Sequence, residues 1–453
     1  MDKEIGLQLA EFAVVTKYKD IPKEIIDFAK GLNLKTVAGM AVGSRRASGR
    51  KMATLIRDRK MPEEAGIIAS NFKTSSWDAA LLQGFYAHAS ELEDDRMGAS
   101  LDYAGFSWDI TVIPVVVSLT QKLRLSGEAF LEALVVGLEV HVRTCLFHNS
   151  LLEVGFLAGP MGPAAAAAKV WGLSVKETVA ALGLAMSGSP LSTPNIGTDG
   201  HYFESALHCL QGVMAAEMAK SDLAGNPNVA RYLSKLLGKD RVAPEAITAD
   251  LGRRWRLTEI GIKKYPCCFY TQRQIDALLE LRKAHNLSYD EVESIEVHGG
   301  LMDKTTNRPE PKTEEDVEFS IQHLLGAAML YGDVGAEHIA EKTINNSRMR
   351  EARLKVKQVI HYDWSKEPNQ APALVIIKTK DGRQFSKERM HLIGSPSEPL
   401  TMEQFRGLYS KYTRDIFSEK DISMTADALL NLETLSEDDV QKLMDVLTFG
   451  SKN

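Results

Sequence analysis

The segment Gly159–Trp171 reads GPMGPAAAAAKVW, and it restricts the fold more than any other stretch of the chain. A helix with Ala and Gly on every face has no polar side to turn toward water. It belongs in the middle of a packed bundle, where small side chains let neighbouring backbones approach. Val175–Ser187 and Ala206–Lys220 share this texture. Around them, Glu4–Lys17, Pro22–Val42, Ser75–Ser90 and Gly127–Leu146 repeat apolar residues at helical spacing. Pro22 suits a helix start. Residues 1–260 therefore read mostly as helix.

After Gly261 the texture changes. Val292–His298 (VESIEVH) and Ala373–Thr379 (ALVIIKT) are rich in β-branched residues and predict strands. Asp381-Gly382 favours a tight hairpin turn, with Arg383–Ser386 as the return strand. Helices are predicted at Gln272–His285, before the first of these strands, and at Phe319–Leu330, between them. From Thr401 to Phe449 the pattern is helical again, with start signals at Thr401 and Ser436. The expected fold class is mainly α. A large all-helical domain spans residues 1–262 and 400–453, and a smaller α+β lid domain, residues 263–399, is inserted in it.

Several function classes are disfavoured. At 453 residues the chain exceeds one ordinary core. A net charge of −6 without a Lys/Arg block speaks against nucleic acid and anionic membrane as partners. The start, MDKEIGLQLAEF, lacks the apolar core of a secretory signal, and no apolar run is long enough to span a bilayer. The four cysteines, Cys145, Cys209, Cys267 and Cys268, form no CxxC pair, which suits reduced thiols in the cytoplasm. No P-loop, HExxH or GxSxG motif is present.

Three local sequences carry a family resemblance. One is His88-Ala-Ser-Glu-Leu-Glu-Asp-Asp95. Another is Phe147-His148, followed by Gly155, Gly162-Pro-Ala-Ala-Ala-Ala-Ala168 and Gly172-Leu173. The last is Lys263-Lys-Tyr-Pro-Cys267 with Asp276-Ala277 downstream. Each is weak alone. In this order and spacing they resemble the MmgE/PrpD family over nearly the whole chain. The resemblance implies a homodimer without metal or cofactor, acting on a small-molecule carboxylate in a pocket between helical domain and lid. Chemistry of this kind removes a proton next to a carboxylate, so it needs a proton carrier and nearby cations.

The candidate residues follow from that resemblance. His148 matches the family's FH histidine and would carry the proton; otherwise it is a structural histidine at a helix end. Lys263 matches the lysine of K-x-Y-P and would hold a substrate carboxylate as a point charge; otherwise it is an exposed lysine at the domain joint. Glu91 falls where the family has a catalytic aspartate. With Glu93, Asp94 and Asp95 it forms an acidic cluster, and on a helix Glu91 and Asp95 would share a face. Crowded carboxylates raise one another's pKa, which helps a general acid or base. The alternatives are a solvated helix end or, ranked last, a divalent metal site, since no histidine lies at ligand spacing inside the cluster.

Departures from the family pattern add further candidates for substrate binding. Asp95 stands where the family has Thr, Ser107 where it has His, Ser205 where it has Lys, and His323 where it often has Tyr. Two cationic groups are thereby missing, which suggests a substrate with fewer carboxylates or an uncharged arm, not a citrate-like one. Trp108 and Tyr103 are either pocket lining or core. In Asn195–Tyr202, His201 and Tyr202 are candidates to supply the lost chemistry; otherwise this is an ordinary glycine-containing loop. Gln272 completes the set. The expected activity is a cofactor-independent lyase, dehydratase or decarboxylase in type. The alternatives are an epimerase, which needs proton carriers on opposite faces of one carbon, and a non-catalytic family member.

Overall fold

The computed structural model describes residues 4–96, 105–145, 159–188, 195, 198–228, 231, 234, 244–365 and 371–451. It divides into two compact units. One comprises Met1–Arg96, Asp102–Glu259 and Thr401–Asn453; the other comprises Met97–Leu101 and Ile260–Leu400.

The first unit is helical. The alanine-rich stretch forms a helix over Met161–Val170, and Ala164–Ala168 are all buried. It packs against Gly127–Cys145, Trp108–Leu123 and Asp199–Lys220. Small residues set these spacings. A Cβ on Gly137 would meet Val112 Cγ1 at 2.6 Å and Ala166 Cβ at 2.7 Å, so this crossing is closer than any other residue allows. Lys23–Arg45 lies deep in the bundle, with even Lys30, Asn33, Lys35 and Thr36 buried on it. Pro22 is its N-cap residue, just outside the first turn. The carboxy-terminal helices Met402–Thr413, Glu419–Leu430 and Glu437–Phe449 belong to this unit. Thr401 and Ser436 cap the first and third, accepting from the N–H groups of Gln404 and Asp439. No helix among the described residues is long and apolar enough to cross a membrane.

Two local readings need correction. The helix expected at Ala206–Lys220 begins earlier, at Asp199, with Thr198 as its cap. This puts His201, Tyr202 and Ser205 on its first two turns instead of in a loop. The acidic stretch after Ala89 is not helical. The helix over Ser76–Ala89 stops there, Glu91 adopts a left-handed conformation (φ 53°), and Asp95–Arg96 pairs antiparallel with Gly105–Phe106. A shared helical face for Glu91 and Asp95 is therefore ruled out.

The second unit holds a four-stranded sheet ordered Val356–Ile360, Val292–Gly299, Ala373–Thr379, Gln384–Arg389. The first pair is parallel and the other two are antiparallel. The parallel pair needs a long crossover, supplied by the chain that includes the Ile321–Tyr331 helix. That helix and Gln272–Ala284 share a core with the sheet, including Ile275, Leu278, Val297, Leu324, Val375 and Ile377. Gly382 takes φ 88° in the hairpin turn. The return strand is an edge strand with Lys387, Glu388 and Arg389 on it, the kind of charge that discourages further pairing. Val356–Ile360, the other edge, escapes a sequence reading because its lysine and glutamine interrupt the apolar pattern.

Candidate functional site

In the helical unit, residues from three segments converge. His88 sits in the last turn of Ser76–Ala89, Glu91 in the left-handed turn that follows, and His201, Tyr202 and Ser205 at the start of Asp199–Lys220. His88 and Glu91 are buried, and the His201 side chain is 13% exposed. The rings of His88 and His201 meet edge to face, centroids 4.3 Å apart. A ligating atom from each of His88, Glu91 and His201 lies within 4.8 Å of the other two.

Hydrogen bonds orient this group. Ser205 Oγ donates to the Tyr202 carbonyl at 3.2 Å and lies 2.6 Å from His88 Nδ1. Which of Nδ1 and Oγ donates in the shorter contact is set by the His88 tautomer. His201 Nδ1 lies 3.5 Å from Glu204 Oε2. Asn195 Nδ2 donates to the other oxygen of Glu204 at 2.7 Å. One turn further on, burial pushes the imidazole of His208 down to about 4, so it stays neutral.

The acidic turn is held from behind by Lys35, which is 1% exposed. Its ammonium donates to the Leu92 carbonyl and to Asp94 Oδ1, and lies 3.8 Å from Asp109 Oδ2. Asp109 also accepts from the Asp94 N–H at 3.2 Å and from Thr36 Oγ1 at 3.0 Å. Burial pushes the Asp109 carboxyl above its ordinary value, while the Lys35 charge pulls it back. Ser107, left-handed at φ 47°, donates its N–H to the Asp94 carbonyl and its hydroxyl to Asp95 Oδ1 at 3.0 Å. Asp95 and Ser107 thus form a pair. Trp108 is fully buried beside His141.

The other candidates lie in the second unit or outside the described residues. Lys263 is buried at 1% exposure. The loop that carries it is held by Gln272, whose amide accepts from the N–H groups of Lys264 and Tyr265 and donates to the carbonyls of Tyr265 and Cys267. Asp276 binds Lys264 Nζ at 2.5 Å and the Tyr265 hydroxyl at 2.9 Å. His323 is fully buried, with Nδ1 accepting from Arg353 Nη1 at 3.1 Å and Nε2 donating to the His338 carbonyl at 3.0 Å. Burial pushes it down to about 4. The four cysteines are buried and form no disulfide. His148 and Tyr103 lie outside the described residues.

Two residues in or behind the convergent group, His88 and Lys35, were not singled out as site candidates in the sequence. His88 was visible as the first residue of an H-x-x-E spacing. His201 was a candidate from the sequence, but its place on a helix follows only when Thr198 is recognised as a cap. Lys35, on an otherwise ordinary helix, has no local signal.

A helical bundle with a separate α+β unit, and a histidine–carboxylate cluster on the bundle, define a class that comparison with known families identifies. The amino-terminal domain model of the MmgE/PrpD family matches residues 7–232, and its carboxy-terminal domain model matches residues 265–434. The chain belongs to the MmgE/PrpD family. It is similar to a cis-aconitate decarboxylase-like protein of Aspergillus oryzae, 24% identical, with 98% of this chain and 97% of that protein covered. It is also similar to the cis-aconitate decarboxylases of Mus musculus (24% identical; 83% and 82% covered) and Homo sapiens (25% identical; 82% of each).

Proposed function

We propose that the chain is a lyase of the dehydratase or decarboxylase type that acts on a small carboxylic acid by removing a proton next to a carboxylate. The observation that carries this reading is the buried group of Glu91, His88 and His201. A carboxylate among imidazoles, largely removed from water, is suited to proton transfer near neutral pH. The relatives named cis-aconitate decarboxylase support the same reaction class. His148, through its family match, is the partner proton carrier, and Lys263 the candidate carboxylate anchor.

The two described imidazoles are neighbours, which suits proton removal from one face of a carbon more than exchange across two. We therefore place the epimerase second. The missing cations at Ser107 and Ser205 favour a substrate with fewer carboxylates than cis-aconitate.

The test is turnover of a panel of mono-, di- and tricarboxylates, followed by loss of carbon dioxide or water. Glu91→Gln should lower kcat/KM by about 100-fold or more. Lys263→Met should act mainly on KM. Deuterium entering recovered substrate without product formation would overturn the lyase in favour of the epimerase. Fast turnover of cis-aconitate would overturn the narrower substrate class.

A further inference from the structure

We propose that a cavity in the helical unit, lined by Lys17, Glu132, Lys169 and Thr178, binds a small hydroxy-monocarboxylate. None of these residues belongs to the group around Glu91, so the inference is independent of the proposed reaction.

The cavity holds about 180 Å3. A void of about 150 Å3 admits a benzene-sized molecule, so a short organic acid fits. The site lies where the helices Ile5–Val15 and Met161–Val170 end and where Gly127–Cys145 and Val175–Ala185 begin. Leu125 and Leu173 give it apolar wall.

Two of its polar atoms stand ready for a ligand. Thr178 is 1% exposed, and its hydroxyl makes no hydrogen bond among the described residues. Glu132 Oε2 is also buried without a hydrogen-bond partner there. Lys169 Nζ stands 3.8 Å from it, beyond hydrogen-bond reach. A buried hydroxyl or carboxylate oxygen left in this way costs free energy that a completing group recovers.

The lysines supply the charge. Lys169 Nζ donates to the Val14 carbonyl at 3.3 Å and to the Thr16 carbonyl at 2.5 Å, which holds it at the carboxy end of Ile5–Val15. One N–H of the ammonium is left for a ligand. Lys17 is exposed, and its charge acts on Lys169. Burial lowers the Lys169 pKa to about 8, with Glu132 raising it and Lys17 lowering it. Two ammonium groups against one carboxylate leave one positive charge over, and a monoanion neutralises it. The ligand's carboxylate faces the lysines, its hydroxyl donates to Glu132 Oε2, and Thr178 donates to one of its oxygens. A plain carboxylate leaves Glu132 Oε2 unpartnered. A dianion sets a second negative charge against Glu132.

The test is calorimetric titration of the full-length protein with L-lactate, with acetate and inorganic phosphate as comparison ligands. Lactate should bind with a Kd of about 1 mM or tighter. Acetate and phosphate should bind about 10-fold more weakly or worse. Lys17→Met, at an exposed position that leaves the fold intact, should weaken lactate by about 10-fold. Thr178→Val, which keeps the side-chain shape, should weaken it about 3- to 10-fold. Lys263→Met should leave lactate binding as in wild type. Absence of lactate binding, or equal affinity in wild type and both cavity variants, would overturn the site. Loss of binding in Lys263→Met alone would move the ligand to the proposed active site and overturn it too. Tighter binding of phosphate than of lactate would overturn the ligand class. None of these results touches the lyase reading, which stands or falls on turnover.

Discussion

Two buried histidines, one in each unit, show how little burial says about role. His323 is fully buried and His88 is 3% exposed. His323 gives both ring nitrogens to the protein frame, one accepting from a guanidinium and the other donating to a carbonyl. Its ring closes the structure around Arg353 and the turn at His338. His88 gives one nitrogen to a hydroxyl and stands beside a second imidazole and a carboxylate. The first arrangement is complete as it stands. The second gathers groups of the kind that the proposed proton transfer needs. Partner chemistry, more than depth, separates a framework histidine from a reactive one.

The sharpest way to break this contrast is to remove what holds the acidic turn beside His88. Lys35→Met leaves Asp94 and Asp109 buried without their ammonium. It should lower stability by about 3–5 kcal/mol, measured by denaturant unfolding. A loss below about 1 kcal/mol would mean that the lysine is not the clamp.

Next, His88→Gln should reduce turnover about 100-fold or more while the unfolding midpoint moves little. His323→Gln should do the reverse, costing about 1–3 kcal/mol from unpaired buried groups and leaving the pH profile of kcat in place. If the two variants exchange these signatures, the contrast fails.

The smallest effect is on pH dependence. His323 and His208 are both held near 4, below the ordinary value of 6.5. Between these values the unfolded chain binds protons that the folded chain refuses, so stability is present above about 6.5 and is lost as pH falls toward about 4. Each histidine contributes at most about 1.4 kcal/mol per pH unit to that slope. Thermal unfolding of His323→Gln across this window should show a shallower decline than wild type.

The helical bundle was legible because its signals are local. The small residues of Met161–Val170 and the apolar spacing of Lys23–Arg45 state their surroundings in consecutive positions. The hairpin at Asp381-Gly382 was legible for the same reason. The candidate site was legible only in pieces. Glu91 and the Asp95–Ser107 region emerged through family likeness, but their geometry did not, because one left-handed residue ends the helix and redirects every carboxylate after it. His201 was assigned to a loop because Gly200 obscured the helix start, although Thr198 already marked it. Lys35 depends on Asp94 and Asp109, far away in sequence, and no window around residue 35 contains that fact.

The left-handed turn at Glu91 has a bearing on how this molecule divides its stability. A residue with a Cβ held at φ 53° is strained by about 1 kcal/mol or more, and glycine at the same place is not. Glu91→Gly should therefore melt at a higher temperature than wild type while losing turnover. A position where the tougher variant is the idle one identifies where selection has favoured work over robustness.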